Sequence, residues 1–173
     1  PDIDPEGAAR VIPVAIGVLA EDGSEMMPTR MLEMTASRQL FRFSSLPEKP
    51  TASILRGFSA PVNLDRPLDA QTRAFLLAHD TDPFNKWEAG RALAKGVLTR
   101  MITDDAKADS AFLDALSHVA LNPDLDPAFR ALTLSMPGED DMAQTLFEAG
   151  HVPDPAKIYS ARQDLLTTLA QHL

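Results

Sequence analysis

The hydrophobic pattern of this chain changes period once, and that change limits the fold more than any other feature. Up to Pro67 the apolar residues come in short runs and alternations, as strands require. From Leu68 onward they recur at close to the helical period. Residues 50–94 (PTASILRGFSAPVNLDRPLDAQTRAFLLAHDTDPFNKWEAGRALA) contain the change, so a domain boundary is expected inside them. Residues 52–58 and 62–64 are apolar runs separated by Pro61, which predicts a strand with a bulge or a pair of strands. Pro67 closes that region, and Asp69 stands where it can cap a helix carrying Phe75, Leu76 and Leu77. Asp82-Pro83 supplies a further start, an N-cap followed by Pro at the first helical position. After it Phe84, Trp87, Arg91, Ala94, Leu98 and Met101 recur at helical spacing.

Before the boundary, residues 1–10 are acidic, proline-bearing and aperiodic, which predicts a loop or frayed end. Residues 11–20, rich in Val and Ile, read as a strand, and Glu21-Asp22-Gly23-Ser24 as its turn. Residues 25–28 read as a short return strand, and 31–35 and 39–43 alternate again. Pro47 and Pro50 mark a loop before 52–58. Short strands at hairpin spacing predict a small antiparallel β-sandwich over residues 1–66. Beyond it, helices are expected over 69–79, 82–103 and 110–121, then from Asp126-Pro127 to near Pro137. Two more follow, over 139–149 and from Asp154-Pro155 to about residue 171. Three Asp-Pro starts with short connections predict antiparallel helical hairpins stacked side by side over residues 67–173. No fixed-period repeat names a solenoid family. The expected class is α+β, a small antiparallel β-sandwich followed by an all-α array of hairpins.

Charge and composition remove several functions. A net charge of −9 argues against nucleic acid or an anionic membrane as partner. The absence of cysteine rules out disulfides and thiol catalysis and fits a reducing, cytoplasmic compartment. The longest apolar stretch, 11–20, contains Pro13 and is too short to span a bilayer. It also lacks the flanks of a signal peptide. The first residue is Pro1, not Met, and the last helix runs to the end of the chain without a C-cap. Both features lead to the expectation of a piece excised from a longer protein.

Catalytic and metal signals are weak throughout. Gly57-Phe58-Ser59-Ala60-Pro61 approximates a nucleophile elbow, but Pro61 replaces the final glycine and no helix follows directly, so Ser59 reads as a strand or bulge residue. Asp2, Asp4, Glu6 and Gly7 begin like a calcium loop, yet Pro13 stands where a bidentate Glu is required. Glu139-Asp140-Asp141 is explained by a helix N-terminus. The histidines, His79, His118, His151 and His172, show no four-residue pairing. His79 is expected at a helix end, beside Asp80, in a capping role. Phe84 and Trp87 read as core or interdomain anchors, with Arg91 stacked on Trp87 or paired with Glu88. Met26, Met27, Met31 and Met34 are assigned to packing of the sandwich. These residues supply no catalytic, cofactor-binding or metal-binding site.

A resemblance runs through the same stretches. FSAPVNL (residues 58–64) followed by FLLAHDTDPFNKWEAGRAL (residues 75–93) resembles bacterial aminopeptidase N, a zinc metallopeptidase of the gluzincin type. VIPVAIGVLAEDG (residues 11–23) is similar to that family's entry into a β-sandwich domain, and DPAFRALTLSMPGEDDMAQ (residues 126–144) to a segment of its helical C-terminal domain. The resemblance implies the β-sandwich domain and the start of the helical domain, in the family's order. It implies zinc in the parent enzyme, an upstream catalytic domain of the same chain as partner, and peptides as the parent's substrates. The family's H-E-x-x-H and G-x-M-E-N motifs are absent here, so no zinc and no catalysis are expected of this chain alone. A helical array cut short is also expected to self-associate. A free-standing helical module that binds another protein is the alternative reading.

Overall fold

The structure is a computed structural model and describes residues 11–47 and 49–173. The acidic start of the chain, including Asp2, Asp4, Glu6 and Gly7, lies outside the described residues. The chain divides into two compact units, one of Pro1–Pro67 with His79–Asn85 and one of Leu68–Ala78 with Lys86–Leu173.

In the first unit, β1 (Ile12–Leu19) is the central strand of a three-stranded antiparallel sheet, with β2 (Glu25–Met34) and β3 (Thr51–Ile54) at its sides. Its Val and Ile content suits that place, because residues 15–19 are buried on both faces instead of alternating. The turn between β1 and β2 closes where the sequence predicts. Gly23 takes φ +86°, and the Asp22 carboxylate accepts the Ser24 N–H at 2.9 Å. Residues 25–28 and 31–35 are not separate strands, however: they fall in one ten-residue β2. The pairing passes from Ile16↔Arg30 to Val18↔Met27, so Pro28 and Thr29 stand opposite Gly17 alone. At such a bulge Pro28 needs no N–H to donate.

Two expected strands are absent, for a shared physical reason. Residues 39–43 and 62–64 carry no strand pairing. The Gln39 side chain accepts the Thr35 N–H at 2.8 Å and donates to the Glu33 carbonyl at 3.1 Å, closing the end of β2 on itself. Ser59 does the same for β1: its Oγ accepts the Ala15 N–H at 2.9 Å and donates to the Pro13 carbonyl at 3.3 Å. Side chains occupy the backbone groups that a further strand would have paired.

The helices are α1 (Ala70–His79), α2 (Pro83–Asp104), α3 (Ser110–Ala120), α4 (Pro127–Thr133), α5 (Glu139–Glu148) and α6 (Pro155–His172). Aspartate opens nearly all of them. Asp69, Asp82, Asp109, Asp126 and Asp154 each accept a backbone N–H of the first turn, and Pro83, Pro127 and Pro155 occupy the next position. Helix α5 starts at Gly138 and instead carries Glu139, Asp140 and Asp141 in its first turn, where the helix dipole favours them. Asp154 serves two donors, Ala156 N–H and Lys157 N–H. Asp154→Ala is therefore expected to lower stability by about 1 kcal/mol, and Asp154→Ser to recover most of it, as read by urea denaturation.

The core of the second unit follows the predicted spacing. Leu93, Ala94, Val97 and Leu98 of α2, Phe112, Leu116 and Val119 of α3, and Ile158, Ala161, Leu165 and Leu169 of α6 are all buried. Helix α5 packs on α6, and α3 packs on both α4 and α6. Helices α1 and α2 approach closely at Gly90, where an added Cβ would lie 2.9 Å from Leu77 Cδ1.

Candidate functional site

The densest arrangement of charged side chains in the first unit forms around Arg56, in a turn of unusual backbone. After β3 the chain makes a single 3₁₀ turn (Arg56–Phe58) in which Leu55, Gly57 and Phe58 all take positive φ, at 61°, 61° and 52°. For leucine and phenylalanine that conformation costs roughly 1 kcal/mol or more each. It carries the Arg56 side chain across Gly17 of β1, and a Cβ at Gly17 would stand 1.9 Å from the guanidinium carbon. Glycine is required there by close approach.

The guanidinium is almost wholly buried, with 6% of Arg56 exposed, and its donors are met on several sides. Nε donates to Ser53 Oγ at 2.8 Å, and Nη1 to Glu25 Oε1 at 2.5 Å and Thr29 Oγ1 at 3.0 Å. Nη2 lies 3.5 Å from Asp80 Oδ1. The Thr81 hydroxyl also donates to Glu25 Oε1, and the Asp82 carboxylate accepts the Gly57 N–H at 2.8 Å. The Thr81 and Arg56 hydrogen bonds hold Glu25 below the usual glutamate range. Burial pushes Asp80 above the usual aspartate range. Asp22 is lowered by its hydrogen bonds from Ser24. The cluster is a fastening in which Arg56, Ser53, Glu25, Thr81 and Asp82 all bond neighbours, while buried Asp80 Oδ2 has no hydrogen-bond partner among the described residues. Ser53 is spent in it and Ser59 in bridging β1, so neither hydroxyl is placed to attack a substrate.

Other singled-out residues also find structural partners. His79 ends α1, and its ring lies where a Cβ on Gly23 would meet it at 2.7 Å. Phe84 packs on Phe58, ring centroids 5.2 Å apart. In the second unit Arg91 lies over the Trp87 ring at 5.5 Å, as the spacing predicts, but its ion pair is with Asp141 at 2.5 Å instead of Glu88. Lys95 meets the same carboxylate at 2.7 Å, and Glu139 pairs with Arg162 at 3.2 Å. Two of the three acids at the start of α5 thus have cations of this chain. The void beside Trp87, lined also by Phe112 and Met136, has a volume of about 10 Å³, room for one water and no substrate. His172 bonds Asp114 at 2.9 Å, with His118 one turn further along α3 in the rim of a shallow depression. Met31, assigned to packing, is 60% exposed.

Among the described residues no three His, Asp or Glu side chains converge as metal ligands require. They do not fit a zinc ion. No helix among them is long and apolar enough to cross a membrane.

Comparison with known proteins places the arrangement. Residues 70–173 match the family described as "Domain of unknown function (DUF3458_C) ARM repeats". The chain belongs to that family. Residues 2–67 match "Domain of unknown function (DUF3458) Ig-like fold", so an Ig-like part precedes the ARM-repeat part. The repeat escaped sequence reading because the helices differ too much in length, from seven to 22 residues, to leave a fixed period. The resemblance to aminopeptidase N is borne out. The chain is 42% identical over 161 residues to Aminopeptidase N of Caulobacter vibrioides, covering 92% of this chain and 18% of that protein. It is 30% identical over 148 residues to Aminopeptidase N of Escherichia coli, covering 83% of this chain and 17% of that one. Among solved structures it is similar to Legionella pneumophila aminopeptidase A in complex with aspartic acid. The TM-score is 0.78 at 24% identity, over 95% of this chain and 19% of that one. The DUF3458_C chain thus spans less than a fifth of these relatives' length.

Proposed function

We propose that this chain is a non-catalytic part of a zinc-dependent aminopeptidase that removes N-terminal residues from peptides in the cytoplasm. Residues 1–66 form its β-sandwich spacer, and residues 67–173 begin a helical domain that closes over the active site. Zinc and the peptide-cleaving groups belong to an upstream catalytic domain of the same polypeptide. A domain of this kind limits access to the site and keeps bulk water from the chemistry. The observation that carries the reading is the likeness to Aminopeptidase N over 92% of the chain in a sequence without H-E-x-x-H. Among the described residues no three ligands converge to hold a zinc ion that would acidify a water or polarise a carbonyl.

The test is zinc content and turnover of an alanine chromogenic amide by the purified chain with zinc added. No stoichiometric zinc and no turnover are expected. Bound zinc with turnover would sink the proposal. A second arm replaces the matched segment of the Caulobacter protein with this chain; an active hybrid is expected, and a folded but inactive one would count against the shared role.

A further inference from the structure

Arg56 lies between two carboxylates but is bonded unequally to them. Glu25 is 2.5 Å from Nη1, and Asp80 is 3.5 Å from Nη2. The single guanidinium charge is matched by Glu25, so an ionised Asp80 adds a negative charge that is poorly compensated among buried groups. Asp80 is 1% exposed. Its Oδ1 accepts the Ser53 hydroxyl at 3.0 Å and the Asp82 N–H at 2.9 Å, beside Arg56. Its Oδ2 is buried and has no partner among the described residues.

Ser53 has nothing in reserve for that oxygen. Ser53 Oγ accepts from Arg56 Nε and from Asn85 Nδ2, both at 2.8 Å, and gives its one proton to Asp80 Oδ1. A hydroxyl has one donor and two lone pairs, and all are in use. Gly17, the β1 residue that Arg56 crosses, has no side chain to offer. A buried unpaired O–H costs a few kcal/mol at most, whereas a buried unpaired charge costs considerably more.

We propose that Asp80 is a proton-operated latch of the first unit, holding the His79–Asn85 segment against β3 and the Arg56 turn as the neutral acid and loosening it as the carboxylate. Buried Lys86 of α2 donates to the Ala78 carbonyl, two residues before Asp80 in the chain. Arg56 of the 3₁₀ turn meets Asp80 from the sheet side, and Glu25 of β2 shares that guanidinium. Asp82 lies on its own segment, and neighbouring His79 is turned toward the β1–β2 turn that carries Asp22. Burial is the chief reason that its proton is held more tightly. The Asp82 charge acts in the same direction, against the hydrogen bonds from Asp82 N–H and Ser53 and the charge of Arg56.

The sign follows from linkage. A folded state that holds a proton more tightly than the unfolded chain loses stability as pH rises. The loss begins near the ordinary aspartate value of 3.8 and is complete above the raised folded value. Glu25 acts oppositely and elsewhere: its contribution is lost as pH falls below the ordinary 4.5.

Two readouts on the full chain test the latch. Carboxyl ¹³C shifts, with Asp80 assigned through Asp80→Asn, should place its midpoint above that of an ordinary aspartate. Amide exchange at Gly57 and Asp82, whose N–H groups bond Asp82 and Asp80, should lose protection about tenfold per unit of that displacement as pH rises. In Asp80→Asn the same protection should stay flat. A midpoint at or below the ordinary value, or equal loss in both proteins, would overturn the proposal. Should Asp80→Asn fail to fold, the wild-type midpoint, assigned by backbone-linked spectra, decides alone.

Discussion

Arg56→Ala is expected to lower the stability of the chain by about 3 kcal/mol. Removing one member of a buried charge cluster leaves the others without their partner, and that penalty exceeds the value of the contacts themselves. Here Ser53, Thr29, Glu25 and Asp80 all lose a donor at once. The estimate stays at the lower end of the usual range because the Glu25 side chain keeps 34% of its surface and can turn to water. The turn around Arg56 adds to the effect. Leu55 and Phe58 hold left-handed backbone that the arginine's bonds help to maintain, and without those bonds the turn can relax. Gly17→Ala should act through the same cluster, since its Cβ would occupy the guanidinium's place 1.9 Å from Cζ. Urea denaturation of both single variants and the double should show a combined loss well short of the sum. Additive losses would mean that Gly17 and Arg56 are energetically separate, and a loss under about 0.5 kcal/mol for Arg56→Ala would remove the cluster from any structural role.

None of this cluster was legible in the sequence. Arg56 stands in an apolar run, ILRGF, where a strand is the natural expectation, and Ser53 and Asp80 are 27 positions apart. No local pattern announces that a lone arginine turns inward; only the position of Gly17, in the middle of a Val/Ile strand, hints that something passes close to the backbone. The two lost strands have a related cause. Alternation at 39–43 and the apolar run at 62–64 are genuine sequence features, but Gln39 and Ser59 outcompete them by hydrogen-bonding the neighbouring strand ends with their side chains. Such local competition follows from side-chain reach, which periodicity does not encode.

The helices were legible because their signals are local and agree with one another. Aspartate, then proline, then an apolar stripe specifies where a helix starts and which face turns inward, and Asp82, Asp126 and Asp154 all perform as caps. Their partners were harder to read. Arg91 chose Asp141, 50 residues away, over its near neighbour Glu88, because Asp141 already sits beside Lys95 in the first turn of α5.

Phe112→Ala is expected to cost about 3–5 kcal/mol, the largest single-residue effect in the helical unit. Phe112 is 1% exposed on the face of α3 that also buries Leu113, Leu116 and Val119. Removing its ring takes away transfer energy and leaves a cavity, and the surroundings are poorly able to fill it. The adjoining void of about 10 Å³ beside Trp87 and Gly90 already marks a place where the packing does not collapse further. Trp87 is also restrained, since Arg91 stacks on it while paired to Asp141. The new space should therefore merge with the old one and stay open. Phe147→Ala on α5 is the matched comparison, the same chemical change at a ring that is 69% exposed. It should change stability by no more than about 0.5 kcal/mol. Equilibrium denaturation of the two variants separates burial from side-chain identity. If Phe112→Ala cost as little as Phe147→Ala, α3 would not be the packed centre of the helical array, and the order in which its helices bury their apolar faces would have to be redrawn.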